Sequence, residues 1–222
     1  MVGLRSPKPL ISVRVGALPH LTNQDLVENL VSEKTLRASR IIDAFKTIDR
    51  KNFVLPQEQG MAYEDRPLSI GYGATISQPT TVAIMLEKLE SRPGDRILEI
   101  GSGSGYMTAL LAEIVGETGK VFSIEYIPEL KGLAEFNLRK YDFRNVALFV
   151  GDGKAGLKDY APFDKIISSA SGDEIPGSWK SQLKTGGRIV APVGDSLVIL
   201  EKASKRKFKE ERIGGFLFVP LK

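Results

Sequence analysis

The chain has 222 residues, of which 42% are hydrophobic and 26% charged, a composition that predicts a globular protein able to bury its own core. It contains no cysteine, which excludes disulfide scaffolds, cysteine-ligated zinc and cysteine nucleophiles, and its single histidine excludes multi-histidine metal sites. The formal net charge of +4 is too small to indicate nucleic-acid binding by itself.

The first 21 residues form the least patterned part of the chain. They include prolines at positions 7, 9 and 19 and show no sustained periodicity, so we expect a flexible N-terminal arm. The arm lacks the apolar stretch of a secretory signal, and no apolar run in the chain approaches the roughly 18 residues of a membrane span. We therefore expect a cytoplasmic protein without membrane contact.

Two helical patterns follow the arm and predict a helical N-terminal cap. Asn23 is a suitable N-cap for the first helix, whose apolar residues recur at helical spacing. The apolar stripes are Leu26, Val27, Leu30 and Val31 in the first helix, and Ile41, Ile42, Phe45 and Ile48 in the second. From Pro56 to Pro79 the pattern breaks into glycine, proline and polar residues, which predicts a long irregular connection of the kind that is often functional.

From Arg96 onward, strand-like and helix-like patterns alternate. The predicted strands are Ile97–Ile100, Lys120–Ile124, Val146–Val150, Lys165–Ser168 and Arg188–Pro192, and the predicted helices are Tyr106–Val115, Pro128–Tyr141 and Pro176–Leu183. Two more strands, Ser196–Leu200 and Phe216–Val219, are predicted to form a hairpin around the polar segment Glu201–Arg212. This order predicts an α/β fold, a doubly wound and mostly parallel sheet with C-terminal antiparallel strands.

A glycine-rich loop joins the first of these strands to the following helix. Gly101, Gly103 and Gly105 allow the backbone to turn tightly and to approach a ligand at the free N–H groups of the helix N-terminus. A dinucleotide fingerprint would need glycine where Tyr106 stands, which disfavours a pyrophosphate ligand. Such a loop alone is more often a plain tight turn, so its meaning depends on its neighbours.

Three acidic residues accompany this loop at the ends of three successive predicted strands. Glu99 could meet the ammonium group of a ligand, Glu125 could accept hydrogen bonds from both hydroxyls of a ribose, and Asp152 could accept one from an adenine amino group. Each residue alone is usually solvated or caps a turn. Together they predict a nucleotide-type ligand at the carboxyl edge of the sheet.

The glycine spacing resembles motif I of the class I S-adenosylmethionine-dependent methyltransferases, and Tyr63–Pro79 resembles the signature region of the protein-L-isoaspartate O-methyltransferase family. The resemblance covers about residues 22–221 and includes Ile48-Asp49-Arg50, Glu125–Leu130, Gly151–Gly153 and Phe218–Leu221. It implies a Rossmann-like methyltransferase fold and an enzyme that transfers a methyl group from S-adenosylmethionine to the α-carboxylate of L-isoaspartyl residues in damaged proteins, which initiates their repair. It also implies a single domain over 22–222, with a helical cap and active-site segment in 22–79 and a cofactor-binding core in 80–222.

The resemblance further implies the residues of the site. On position alone, Ser77 is better explained as the cap of a helix that starts near Pro79, but the resemblance places it on the active-site serine of the family. A carboxylate has an ordinary pKa of about 4 and is ionised at neutral pH, so Ser77 would position the acceptor rather than activate it. The implied cofactor-binding residues are Ile70, Gly71, Tyr72, Gly73, Glu99, Gly101, Ser102, Gly103, Gly105, Glu125, Asp152 and Gly153.

The chain departs from the family pattern at Ser168–Pro176, where members commonly carry small apolar residues. Asp173 and Glu174 would repel an acceptor carboxylate if they faced the cleft, which affects substrate choice rather than methyl transfer. Two alternatives stay open: an RNA methyltransferase that uses the basic segment Lys202–Arg212, and a cofactor-binding homologue with altered substrate or without catalysis. We expect damaged proteins and peptides with L-isoaspartyl residues as partners, no nucleic acid, no metal, and a monomer or weak oligomer.

Overall fold

The computed structural model describes residues 21–221, so residues 1–20 of the predicted arm lie outside the described residues. The α-helices of the described chain are α1 (Asn23–Ser32), α2 (Ser39–Thr47), α3 (Pro79–Leu89), α4 (Tyr106–Val115), α5 (Pro128–Leu138) and α6 (Gly177–Gln182). Its strands are β1 (Leu68–Gly71), β2 (Ala74–Ile76), β3 (Arg96–Ile100), β4 (Lys120–Glu125), β5 (Val146–Val150), β6 (Phe163–Ser168), β7 (Leu183–Val193), β8 (Ser196–Lys202) and β9 (Phe208–Gly214).

Helix α1 begins with a reciprocal cap between Thr22 and Asp25. The Thr22 hydroxyl accepts a hydrogen bond from the Asp25 N–H at 3.2 Å, and the Asp25 carboxylate accepts one from the Thr22 N–H at 2.8 Å. The predicted cap at Asn23 is wrong, because Asn23 is the first residue inside the helix. Its side-chain amide donates to the Phe45 carbonyl at 2.8 Å and thereby ties α1 to α2.

The connection between α2 and α3 contains more regular structure than its sequence predicts. Short 3-10 helices cover Arg50–Phe53 and Pro56–Met61, and β1 and β2 pair antiparallel as a small ribbon. The ribbon strands have four and three residues, which is too short for periodicity to reveal. At the ribbon tip Tyr72 has a φ of +54°, a conformation that L-residues other than glycine seldom adopt.

The central sheet has seven strands in the order β5-β4-β3-β6-β7-β8-β9. Strands β3 to β7 run parallel, while β8 and β9 continue the sheet antiparallel. This confirms the predicted doubly wound, mostly parallel α/β sheet with antiparallel C-terminal strands. The chain turns in opposite directions from β3 and β6, which are neighbours, so the carboxyl ends of these two strands mark the place where such sheets bind ligands.

The final strand differs from the predicted Phe216–Val219. Strand β9 is formed by Phe208–Gly214, which begins inside the segment Glu201–Arg212 predicted to be a polar connection and ends just beyond it. It pairs with β8 from Lys202–Phe208 to Ser196–Gly214. An edge strand tolerates a polar sequence because it buries little of its surface, and Lys209–Arg212 are exposed. The apolar pattern at 216–219 instead reflects aromatic side chains that pack against the core without entering a strand.

One hydrophobic core cluster joins the helical cap to the sheet. Leu30 of α1 and Phe45 of α2 belong to the same cluster as Leu110 of α4 and Val121 of β4. A second cluster, which includes Trp179, covers the opposite face of the sheet. Within residues 21–221, the structure contains no helix of the length and apolar character that would cross a lipid bilayer.

Candidate active site

A cavity of about 120 Å³ lies at the carboxyl ends of β3, β4 and β6. Its walls come from parts of the chain that are far apart in sequence: the β1–β2 ribbon tip, the glycine loop, the strand ends and the C-terminal segment. Six of the predicted site residues line it, namely Tyr72, Gly73, Gly101, Gly103, Glu125 and Gly153.

The glycine loop that borders the cavity depends on backbone conformations that favour glycine. Gly101, Gly103 and Gly105 have φ values of +85°, +51° and +88°. The Gly101 N–H donates to the Ile124 carbonyl at 2.8 Å, which fastens the loop to the neighbouring strand. A Cβ on Gly105 would lie 3.2 Å from the Ala134 Cα, so glycine is required there for the close approach of α5.

Glu125 is the acidic residue that lines the cavity directly. It is only 7% exposed, its Oε2 accepts a hydrogen bond from the Gly103 N–H at 2.9 Å, and its Oε1 accepts one from the Ile127 N–H at 3.1 Å. The carboxylate therefore fixes the glycine loop to the end of β4. Each of its oxygens retains a second lone pair that a ribose hydroxyl can use.

Glu99 lies in β3 beneath the loop and is fully buried. Its Oε2 accepts a hydrogen bond from the Thr108 hydroxyl at 2.5 Å, while its Oε1 has no hydrogen-bond partner among the described residues. Burial, helped by the negative charge of Glu125, raises the pKa of Glu99 to about 7, against the lowering effect of the Thr108 hydrogen bond and of the nearby Ser123 hydroxyl on the adjacent strand. Glu99 lines neither cavity, so its carboxylate can act on a ligand cation through its negative charge and not by direct contact.

Ser77 borders a smaller cavity of about 40 Å³ that adjoins the first. Its hydroxyl makes no hydrogen bond to a described residue, and it does not cap α3, because Gln78 occupies the cap position. The Asp65 carboxylate takes over the capping role by accepting a hydrogen bond from the Thr80 N–H at 2.8 Å. The two cavities share four walls, Thr75, Gly101, Gly103 and Ser169.

Several predicted cofactor residues lie outside the wall of the larger cavity. Asp152 is exposed, and its Oδ1 accepts a hydrogen bond from the Lys154 N–H at 2.8 Å. Ile70 is 2% exposed and supports the loop from below, since its Cδ1 lies 3.2 Å from where a Cβ on Gly103 would stand. Ser102 lines the smaller cavity instead, and its buried hydroxyl has no partner among residues 21–221. The glycines at 71 and 105 shape turns that border the site.

Sequence reasoning missed cavity walls that only the tertiary structure assembles. Tyr126, Ser169 and the segment 219–221 all line the larger cavity. The C-terminal segment returns to the site because the Ser171 N–H donates to the Val219 carbonyl at 2.8 Å and the Leu221 N–H to the Ser171 carbonyl at 2.7 Å. The only sequence signal for this wall was the family-like stretch Phe218–Leu221.

The acidic departure from the family pattern does not reach the cavities. Asp173 and Glu174 are both exposed, and neither lines the larger or the smaller cavity. Asp173 and Glu174 therefore do not face an acceptor carboxylate in either cavity, and the expected repulsion does not arise there.

Comparison with known proteins identifies the family. The family model described as Protein-L-isoaspartate(D-aspartate) O-methyltransferase (PCMT) matches residues 21–222. The chain belongs to this family. The protein-L-isoaspartate O-methyltransferase of Methanothrix thermoacetophila is 42% identical over 202 residues, which are 90% of this chain and 95% of the relative. Protein-L-isoaspartate O-methyltransferase 2 of Archaeoglobus fulgidus is 46% identical over 200 residues, which are 89% of this chain and 91% of the relative.

Solved structures agree with the family and the fold. A protein-L-isoaspartate O-methyltransferase structure superposes with a TM-score of 0.81 at 30% identity, over 89% of this chain and 65% of that chain. A Plasmodium falciparum protein in complex with S-adenosyl-L-homocysteine superposes with a TM-score of 0.80 at 24% identity, over 91% of this chain and 99% of that chain. The second likeness concerns the fold alone, and both confirm the Rossmann-like methyltransferase architecture.

Proposed function

We propose that this protein transfers the methyl group of S-adenosylmethionine to the α-carboxylate of L-isoaspartyl residues in damaged proteins and peptides, which initiates their repair. The observation that carries the proposal is that two cavities adjoin each other and share walls, in a chain that belongs to this family. One cavity is bordered by the glycine loop and Glu125, and the other by the unpartnered Ser77 hydroxyl.

The residues present fit S-adenosylmethionine. Glu125 presents a buried carboxylate to the larger cavity for the ribose hydroxyls, and Gly153 offers backbone at the adenine side. The unpartnered Oε1 of Glu99 provides a negative charge for the ammonium group. The tight turns of Gly101 and Gly103 bring the backbone close to the ligand. When bound, the cofactor supplies a methyl group on a positively charged sulfonium.

The acceptor carboxylate needs orientation rather than activation. It is ionised at neutral pH, so no residue has to remove a proton before its oxygen bonds to the methyl carbon and the sulfur–carbon bond breaks. The products are a methyl ester and S-adenosylhomocysteine. The Ser77 hydroxyl donates a charge-assisted hydrogen bond to the acceptor and fixes its direction. Holding the two reactants in line can supply about 7–11 kcal/mol of the rate enhancement.

The test uses the purified protein, methyl-labelled cofactor, and an isoaspartyl peptide beside its aspartyl twin. We expect label to enter only the isoaspartyl peptide, as a base-labile ester. Label in transfer RNA would instead support the RNA methyltransferase alternative. Binding of the cofactor without transfer to either peptide would support a non-catalytic homologue.

We also propose a cytoplasmic enzyme that acts as a monomer or weak oligomer, without nucleic acid, and whose residues 22–222 form one domain. The absence of cysteine suits a reducing compartment. The core cluster shared by α1, α2 and the sheet supports a single unit. The exposed strand β9 mixes Glu210 and Glu211 with its basic residues, which weakens its attraction for phosphates.

A further inference from the structure

A buried guanidinium lies directly behind Ser77. Arg50 is 0% exposed and forms no ion pair with any carboxylate among residues 21–221. It instead donates hydrogen bonds to three backbone carbonyls: Nη1 to Ala62 at 2.6 Å, Nη2 to Arg66 at 3.1 Å, and Nη2 to Ser77 at 3.1 Å.

These three carbonyls belong to the two ends of the β1–β2 ribbon. Ala62 and Arg66 precede β1, and Ser77 follows β2. One side chain therefore closes the base of the ribbon whose tip, at Tyr72 and Gly73, borders the larger cavity. The residue after Ser77 is held as well, because the Gln78 side-chain amide donates a hydrogen bond to the Asp65 carboxylate at 2.9 Å.

An arginine at position 50 buries a positive charge, which costs free energy. Burial of a charge without an ionic partner is expensive, and only charge-assisted hydrogen bonds offset it. The planar fork of a guanidinium serves several carbonyls at fixed angles, whereas the single ammonium of a lysine cannot span them in the same way. An apolar side chain of similar volume would fill the space without this cost.

We infer that Arg50 is a positioning residue for methyl transfer: by holding the Ser77 carbonyl, it fixes the peptide of Ser77 and so aims the Ser77 hydroxyl at the acceptor carboxylate. This inference rests on the proposed function of Ser77. It predicts that Arg50 acts on turnover through Ser77, whereas the ribbon tip at the larger cavity is held by the pairing of β1 with β2 and changes little.

The test compares Arg50→Lys and Arg50→Met with the matched control Lys202→Met. Lys202 is also a buried cation that donates to two carbonyls, those of Lys180 and Leu183, but it lies near the amino ends of the parallel strands, away from the site. All three variants should unfold at lower temperature than the wild type. Only the Arg50 variants should lose kcat on the isoaspartyl peptide, by about 10- to 100-fold, with the Kd for S-adenosylhomocysteine within about twofold of the wild type.

A double-mutant cycle separates positioning from a general loss of stability. In the Ser77→Ala background, Arg50→Lys should lower kcat by less than about twofold, because the hydroxyl that Arg50 positions is gone. Wild-type kcat in both Arg50 variants, or an equal loss in the presence and absence of the Ser77 hydroxyl, would overturn the inference. So would failure of both Arg50 variants to fold while Lys202→Met folds, since Arg50 would then be purely structural. A wild-type protein without isoaspartyl methylation would refute the proposed function instead.

Discussion

Replacement of Glu99 by glutamine should make the protein more stable at neutral pH and weaken its hold on the cofactor. Glu99 is fully buried, and its Oε1 has no partner among the described residues. Glu99→Gln preserves the shape of the side chain and an oxygen that can accept the hydrogen bond of Thr108. The substitution therefore removes the buried negative charge and little else.

The magnitude follows from the pKa of Glu99, which burial raises from its ordinary 4.5 to about 7. Between these values the folded protein keeps a proton that the unfolded chain has lost, so the free energy of unfolding falls as the pH rises. A difference of about 2.5 pH units at about 1.4 kcal/mol each gives a total of about 3–4 kcal/mol, most of which falls between pH 4.5 and pH 8. Glu99→Gln lacks this loss, so its stability relative to the wild type should rise by about 3 kcal/mol between pH 4.5 and pH 8.

The assay is denaturant unfolding of both proteins across this pH range, with the difference in unfolding free energy plotted against pH. Carboxyl groups that do not interact with Glu99 contribute equally to both proteins and cancel in this difference, whereas the repulsion between Glu99 and Glu125 is part of the effect that the substitution removes. Calorimetry with S-adenosylhomocysteine at pH 8 should show at least about tenfold weaker binding to the variant, because a neutral amide no longer attracts the positively charged ammonium group. Parallel stability curves would refute the raised pKa of Glu99, and equal affinities would refute its role toward the ammonium.

Three further predictions address the acceptor, the loop and the acidic departure. Ser77→Ala should lower kcat by about 10- to 150-fold, because one charged hydrogen bond is worth about 1.5–3 kcal/mol. The cofactor Kd measured by calorimetry should stay unchanged, and unchanged turnover would remove Ser77 from the mechanism. Gly105→Ala should lower the free energy of unfolding by at least about 1–2 kcal/mol in chemical unfolding, because Gly105 has a positive φ and lies against the backbone of α5. The control Gly60→Ala, whose added methyl group would enter open space, should change this free energy little. Asp173→Asn and Glu174→Gln should alter KM for the isoaspartyl peptide by less than about twofold in steady-state assays, and a large fall in KM would show that these side chains do face the substrate.

The parallel strands of the central sheet were predictable because most of them, such as β3 and β4, are buried and largely apolar, and because helices alternate with them. Strand β9 escaped prediction for the opposite reason: as an edge strand it needs only backbone pairing with β8, and its exposed side chains carry no apolar pattern. The predicted cap of α1 was one residue away from the observed cap at Thr22. Thr22 and Asn23 are both suitable cap residues by type, and only the hydrogen bonds of the folded chain distinguish them.

The wall of the larger cavity was predictable where neighbouring residues in the sequence form it. The glycine loop and Glu125 follow directly from strand-to-helix connections, and Glu125 does line the larger cavity. The walls at Ser169 and 219–221 depend on contacts between distant segments, which no local pattern encodes. The same limit applies to Arg50, whose three carbonyl partners lie 12 to 27 positions further along the chain.

The central claim is that the glycine loop and Glu125 hold the methyl donor at the carboxyl edge of the sheet. Titration calorimetry of the folded protein with S-adenosylhomocysteine tests it most directly, with Glu125→Gln measured alongside. We expect one molecule bound per chain and an affinity at least about tenfold weaker in the variant, since a charged acceptor of the ribose hydroxyls is lost. The claim would be contradicted if neither S-adenosylhomocysteine nor S-adenosylmethionine gave binding heat. It would also be contradicted if Glu125→Gln left the affinity for S-adenosylhomocysteine unchanged.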